Sequence, residues 1–377
     1  MNGAVYLDYN ASTPIAPEVR AAMLPYLAEH YGNPSSAHWA GVPAAAAVAR
    51  AHVQLAALLG CSPGEVVFTS GGTEADNAAL KGAVEASGRE RPHLVVSAVE
   101  HPAIIEPCRY LERHGVDVTY LPVDGTGMVD PDDVARALRP ETVLVSVMHA
   151  NNEVGTVEPI REISRVTREA GVLLHSDAAQ SVGKIPTRVD ELGVDLLSVA
   201  GHKFYGPKGV GALYVRAGTP LEPFMHGAGH ESGRRAGTEN VLLDVALGAA
   251  AELAADTAWT EGVRELRDWL WRELQERWGD GVVLNGHPVQ RLPNTLNVSF
   301  VGRDGREILA AMPEVAASTG SACHSGGTEP SPVLAAMGVP RDVGAGAVRL
   351  SLGRTTTRAE LEAVLERLSA AVPGRSA

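Results

Sequence analysis

The chain has 377 residues, 45% of them hydrophobic, which is enough for one large buried core and a smaller second one. Its net charge of −13 comes from 32 basic and 45 acidic residues, and no basic run interrupts the acidic excess, so nucleic-acid and anionic-membrane partners are not expected. Three widely spaced cysteines, no run of about 18 apolar residues and a polar start, MNGAVYLDYN, argue against a disulfide framework, a zinc site, a membrane span and a leader, and for a reducing, cytoplasmic setting.

In chain order, residues 7–14 read as an extended entry ending in Thr13-Pro14, followed by helices over 17–29 and 43–59. Strands are then expected at 65–69, 93–97, 117–121, 142–148, 172–175, 194–199 and 211–215. Helices fit between most of them, at 74–86, 102–114, 131–138 and 159–170, three of them opening on a proline whose missing N–H costs nothing there. This alternation predicts an α/β domain around a seven-stranded, mostly parallel sheet. The last two strands have no helix between them, so the sheet should be mixed. Beyond Asn240 the pattern changes to helices at 241–256 and 260–278, strands at 282–284, 295–300 and 348–352, and helices at 306–311 and 358–370. The expected division is a large domain over 14–250 and a smaller α+β domain built from 251–377 with residues 1–13.

Within this frame, VDLLSVAGHKFYGPKGVGALY places Lys203 on a glycine-rich turn between two buried strands. Desolvation there lowers a lysine's pKa and suits it to Schiff-base chemistry. Asp177 stands at the end of an earlier strand, where doubly wound sheets place their ligand crevice. An aspartate there and a lysine on the following turn match pyridoxal phosphate (PLP): the carboxylate keeps the pyridine nitrogen protonated and the amine holds the aldehyde. Asp177 could equally cap the helix after it. In EVVFTSGGTEADN a strand, a Ser-Gly-Gly-Thr turn and a helix follow one another, so Gly72 and Thr73 are read as phosphate ligands at a helix N-terminus. No lysine follows the glycines, which excludes a Walker loop.

The motifs LDYNASTP, GNPSS, FTSGGTEADN, EHPAI, NNEVGT, HSDAAQSVGK, GHKFYGPKGVGALY, RAGTEN, GSACHS and RLSLGRTTT run in order from Leu7 to Thr357. Together they resemble fold-type I PLP enzymes of the class V aminotransferase group, and within it the cysteine desulfurases and selenocysteine lyases. The resemblance implies that His101 stacks on the pyridine ring and shuttles protons, although it could also only cap a helix before Pro102. It further implies that Asn152 and Gln180 serve the ring hydroxyl and its surroundings, and that His202 reaches the phosphate. Thr238 would reach the phosphate across a homodimer interface. Ala200 departs from the pattern, since desulfurases often carry a phosphate-binding serine there.

STGSACHSGGTEPSP is too rich in Gly, Ser, Thr and Pro for a long helix or strand, so Cys323 is expected on a loop beside His324, which would lower the thiol pKa when protonated. A reachable thiol suits attack on a substrate sulfur and delivery to an acceptor protein. Cys61 and Cys108 sit in or beside apolar helical patterns and read as structural. Arg354 follows the last strand and is read as the clamp for the substrate α-carboxylate, assisted by Asn33. The expected reaction is L-cysteine to L-alanine with a persulfide left on Cys323. A selenocysteine lyase is the nearest alternative, because the HS after Cys323 and the downstream PSPVL resemble that group. An aminotransferase or a non-catalytic sulfur-relay scaffold fits less well.

Overall fold

The computed structural model describes residues 3–319 and 331–372. Its strands, in chain order, are β1 Val5–Tyr6, β2 Val66–Thr69, β3 His93–Ser97, β4 Asp117–Leu121, β5 Thr142–Ser146, β6 Leu173–Asp177, β7 Leu196–Ala200, β8 Gly211–Val215, β9 Val282–Asn285, β10 Thr295–Phe300, β11 Val315–Ala316 and β12 Ala347–Ser351. Seven of them form one sheet in the order β2-β8-β7-β6-β5-β3-β4. The pairs from β4 through β3, β5 and β6 to β7 are parallel, while β8 runs antiparallel to both β7 and β2. The fold is therefore α/β with a mixed sheet, as the missing helix between β7 and β8 predicts.

The strands are continuous apolar runs because helices cover both faces of the sheet. Val66, Phe68, Leu197 and Val199 point into one core, which also holds Leu55 and Leu59 of the helix Gly41–Leu59. Val67 and Leu196 point the other way, against Leu80 and Ile104. Gly41–Leu59 is long and apolar enough to cross a membrane by length and composition alone. Here it packs against the helix Val241–Ala254.

A second core is built from β9, β10 and β12 and the helices Trp259–Trp278 and Arg358–Ala371, and it takes in Val5 and Leu7 from the N-terminus. β1 pairs parallel with β11, and Ser351 N donates to Leu7 O at 2.8 Å, so the N-terminal arm is stitched to the far end of the chain. Two helix expectations shift. Residues 17–29 form two helices, Pro17–Met23 and Pro25–Ala28, because Pro25 has no N–H to continue the first. Pro159 stays outside its helix, at ψ 58, and Ile160–Ala170 begins one residue later.

Candidate active site

The carboxyl ends of β6 and β7, the turn after β2 and the N-terminal arm enclose a cavity of about 850 Å³. Gly72, Thr73, His101, Asn152, Asp177, Gln180, His202 and Lys203 all line it, so eight of the residues singled out in the sequence meet in one place. A roomier cleft of about 1060 Å³ opens beside Pro122–Asp133, but its described lining holds no lysine.

Lys203 closes the short turn Gly201–Lys203 directly after β7. The chain then reverses through Tyr205, a non-glycine residue at φ 70. Such a conformation costs about 1–3 kcal/mol and survives only where its surroundings fix it. Thr13 does so: its Oγ1 accepts from Tyr205 N at 2.7 Å and donates to His202 O at 3.0 Å. Ala16 N adds a bond to Tyr205 O at 3.0 Å. The arm thus sets the turn that presents the lysine. Lys203 Nζ donates to the carbonyls of Asn10 at 2.7 Å and Ala11 at 3.0 Å. Desolvation, reinforced by Arg349, pulls its pKa down to about 8 against the opposing pull of Asp177 and Asp8.

Asp177 is the last residue of β6. Its Oδ1 accepts from Ala179 N at 2.8 Å, leaving Oδ2 for a ligand. Burial raises its pKa, while Ala179 N, His101 and Lys203 pull the other way. Behind it stand two more buried carboxyls, Asp76 and Glu100. Each has one oxygen without a hydrogen-bond partner, Asp76 Oδ1 and Glu100 Oε2. Burial pushes Glu100 up to about 8 and Asp76 well above the usual carboxylate range. Three carboxyls at one end of a cavity cannot all ionise without a cation to face.

His101 is both a helix cap and a cavity residue. Its Nδ1 accepts from Ala103 N at 3.1 Å at the head of Pro102–Glu112, so in the neutral ring the proton sits on Nε2. Desolvation and Lys203 lower its pKa, and Asp177 opposes them. His202 is likewise neutral, drawn down to about 4 by desolvation and by Lys203 and Lys208, with Nδ1 3.3 Å from Ser12 Oγ.

Gly72 opens the helix Gly72–Ala86 after Gly71 at φ 151, a backbone angle that favours glycine. A Cβ on Gly72 would lie 3.3 Å from Ala200 Cβ. The helix N-terminus and the end of β7 therefore meet closely, and small residues on both sides leave its N–H groups open to an anion.

Two of the expected site residues lie outside this cavity. Arg354 does not line the cavity; its Nη2 donates to Leu253 O at 2.8 Å and Asp256 O at 3.0 Å, and its guanidinium lies 5.4 Å from the ring centre of Tyr205 and 5.2 Å from that of Trp259. Its Nη2 ties the turn after β12 to the carbonyls at and beyond the end of Val241–Ala254, while its buried Nε has no hydrogen-bond partner. Asn33 is exposed, with its Oδ1 accepting from Ser35 N at 2.9 Å, and is not among the residues lining the cavity.

The arginine that does line the cavity is Arg349, missed in the sequence. It lies inside β12, every residue of which is buried. Nη1 donates to Asn152 O at 3.0 Å and Nη2 to Asp8 Oδ1 at 2.7 Å, while the buried Nε has no partner. An arginine inside a fully buried strand was the available signal. Asn10, also missed, is a buried hub that joins Lys203, Gln180, Asn152, Thr295 and Asn294.

Thr238 is exposed and does not line this cavity. Cys323 and His324 lie outside the described residues. Burial pushes the thiols of Cys61 and Cys108 up to about 12, which makes both poor nucleophiles.

The family description Aminotransferase class-V matches residues 5–364. The chain is 49% identical over 371 residues to the cysteine desulfurase IscS of Dictyoglomus turgidum, covering 97% of this chain and 94% of the relative. Among solved structures it is similar to a NifS-like protein, with a TM-score of 0.91 and 36% identity over 97% of this chain and 98% of that one. It is also similar to a structure described as SspA in complex with cysteine, with a TM-score of 0.84 and 37% identity over 93% of this chain and 99% of that one.

Proposed function

From the premise that the chain belongs to the class V aminotransferase family and is a cysteine desulfurase within it, we propose that the cavity around Lys203 binds PLP and L-cysteine and passes sulfur to Cys323. The observation that carries this is the pairing of Lys203, its pKa drawn down to about 8, with Asp177 and two further buried carboxyls, each with one oxygen lacking a hydrogen-bond partner, in one cavity. A ring with a protonated nitrogen answers the carboxyls, an aldehyde answers the amine, and a phosphate answers the open helix end at Gly72 and Thr73. The residues present therefore fit the cofactor.

When bound, PLP withdraws electrons from the substrate's α-carbon and weakens the bond to sulfur. In this reading Asp177 holds the ring proton, and Gln180 and Asn152 serve the ring hydroxyl. His202 and Thr73 serve the phosphate, with Thr238 supplied by the second subunit of a homodimer. Arg349, which lines the same cavity, receives the substrate carboxylate in place of Arg354. Lys203 takes the α-proton once its amine is free, and the carbonyls of Asn10 and Ala11 hold that amine in place. His101, neutral with its proton on Nε2, exchanges the proton of the substrate thiol. The Cys323 thiolate attacks the substrate sulfur; the S–S bond forms as the C–S bond breaks, and the carbon takes a proton to become alanine. A cysteine-bound relative of 37% identity supports L-cysteine as substrate.

The test is an assay of alanine and sulfur from L-cysteine, with mass spectrometry of Cys323. The expected result is alanine formation with a persulfide on Cys323, and a Cys323→Ser variant that keeps the cofactor but releases no sulfide. Full turnover by that variant would overturn the persulfide step. Faster turnover of L-selenocysteine, with no need for Cys323, would favour the lyase.

A further inference from the structure

Lys184 is a second buried lysine near the site, 5% exposed and outside the cavity lining. It borders a small void shared with Tyr9, Lys203 and Asn294. Its Nζ donates to Gln180 Oε1 at 2.9 Å and points to Asn10 Oδ1 at 3.4 Å. No carboxylate is among these partners, and desolvation, with Lys203 and Arg349, pulls its pKa down to about 7. An apolar residue would be cheaper at such a position, so the amine is retained at a cost.

What the amine does follows from the two ends of an amide. A glutamine accepts at one end and donates at the other, and its side chain can sit either way round unless its partners decide. Both Lys184 contacts are oxygens that only accept, so they require N–H groups from the amine whether it is protonated or neutral. Gln180 Oε1 faces Lys184, and a protonated amine, with no lone pair to accept through, keeps it there. At the other end Gln180 Nε2 donates to the main-chain oxygen of Asn10 at 2.9 Å. Asn10 is itself fixed: its Nδ2 donates to Thr295 Oγ1 at 2.8 Å and Asn152 O at 3.1 Å, and its Oδ1 accepts from Asn294 Nδ2 at 3.0 Å.

We propose that Lys184 is a positioning residue that locks the Gln180 amide with its NH2 group toward the ring-oxygen side of the cofactor and its oxygen away from it. This rests on the assignment of Gln180 to the ring hydroxyl. A donor at that oxygen stabilises the form in which the Lys203–cofactor linkage has lost its proton, so it lowers the pH midpoint of the visible band. Without Lys184 the amide loses one of its two anchors and is held by Asn10 O alone; turned round, it would present its oxygen, which repels the ring oxygen and raises the midpoint.

The test is absorbance titration of the purified holoenzyme, together with its affinity for PLP, in wild type, K184M, Q180A and the double variant. K184M should raise the midpoint by about one pH unit and weaken PLP binding up to about tenfold. In the Q180A background the same change should move the midpoint by less than about 0.3 unit, since no amide remains to be oriented. A role in packing alone would lower thermal stability in both backgrounds and leave the midpoint where it was. Lys184→Gln keeps an N–H donor without the charge and should stay near the wild-type midpoint. If K184M does not fold, the midpoint of K184Q decides: a wild-type value supports the lock, and a raised one overturns it. An unmoved K184M midpoint, or an equal shift in the Q180A background, overturns it as well. A wild-type preparation with no visible band would instead overturn the cofactor reading itself.

Discussion

Arg349 and Arg354 stand on the same strand and the turn that follows it, and they do opposite work. Arg349 is inside β12, its neighbours face a core, and it lines the cavity. Arg354 lies past the strand, stacked beside Tyr205 and Trp259 and bound to the carbonyls of Leu253 and Asp256. Both keep a buried Nε without a hydrogen-bond partner, so what separates them is place: Arg349 lines the cavity and Arg354 does not. Residue type and closeness in sequence do not separate the two; position relative to the cavity does.

The largest effect expected from this contrast is at Arg349. An Arg349→Ala variant should lower kcat/KM for L-cysteine by about a hundredfold or more, chiefly through KM, as expected when a buried charged partner is lost. Wild-type KM in that variant would remove the carboxylate role. Next comes Arg354→Ala, which should cost about 2 kcal/mol of stability through its lost carbonyl bonds, with KM close to wild type. A raised KM with unchanged stability would exchange the roles of the two arginines. The smallest effect concerns Glu100. Its pKa is raised to about 8 in the fold, so it stays protonated there while the unfolded chain ionises near the ordinary glutamate value. The folded state then holds the extra proton across that window, and stability falls as pH rises towards 8. Glu100→Gln should flatten that fall, gaining on wild type in denaturant midpoint between about pH 5 and 8. An unchanged pH profile would show Glu100 ionised in the fold.

The central sheet was legible in the sequence because its strands are buried on both faces and read as unbroken apolar runs. Asp177, Lys203 and Gly72 were legible because a strand end, a glycine turn and a helix start are local patterns. Asn10, Lys184 and Arg349 were not. Asn10 N reaches Ser351 across 341 residues, and Arg349 reaches Asp8 across the same separation. Their roles come from an N-terminal arm lying between two cores, which no local spacing records. The placement of Arg354 outside the cavity was hidden for the same reason, since its carbonyl partners lie 101 and 98 residues away in sequence.

Lys184 sharpens the central claim because it is a second buried lysine with a lowered pKa beside the same site. The direct measurement is borohydride reduction of the purified holoprotein, followed by peptide mapping of the modified lysine. The pyridoxyl group is expected on Lys203, with the Lys184 peptide unmodified. Attachment at Lys184, or no attachment at any lysine, would contradict this assignment.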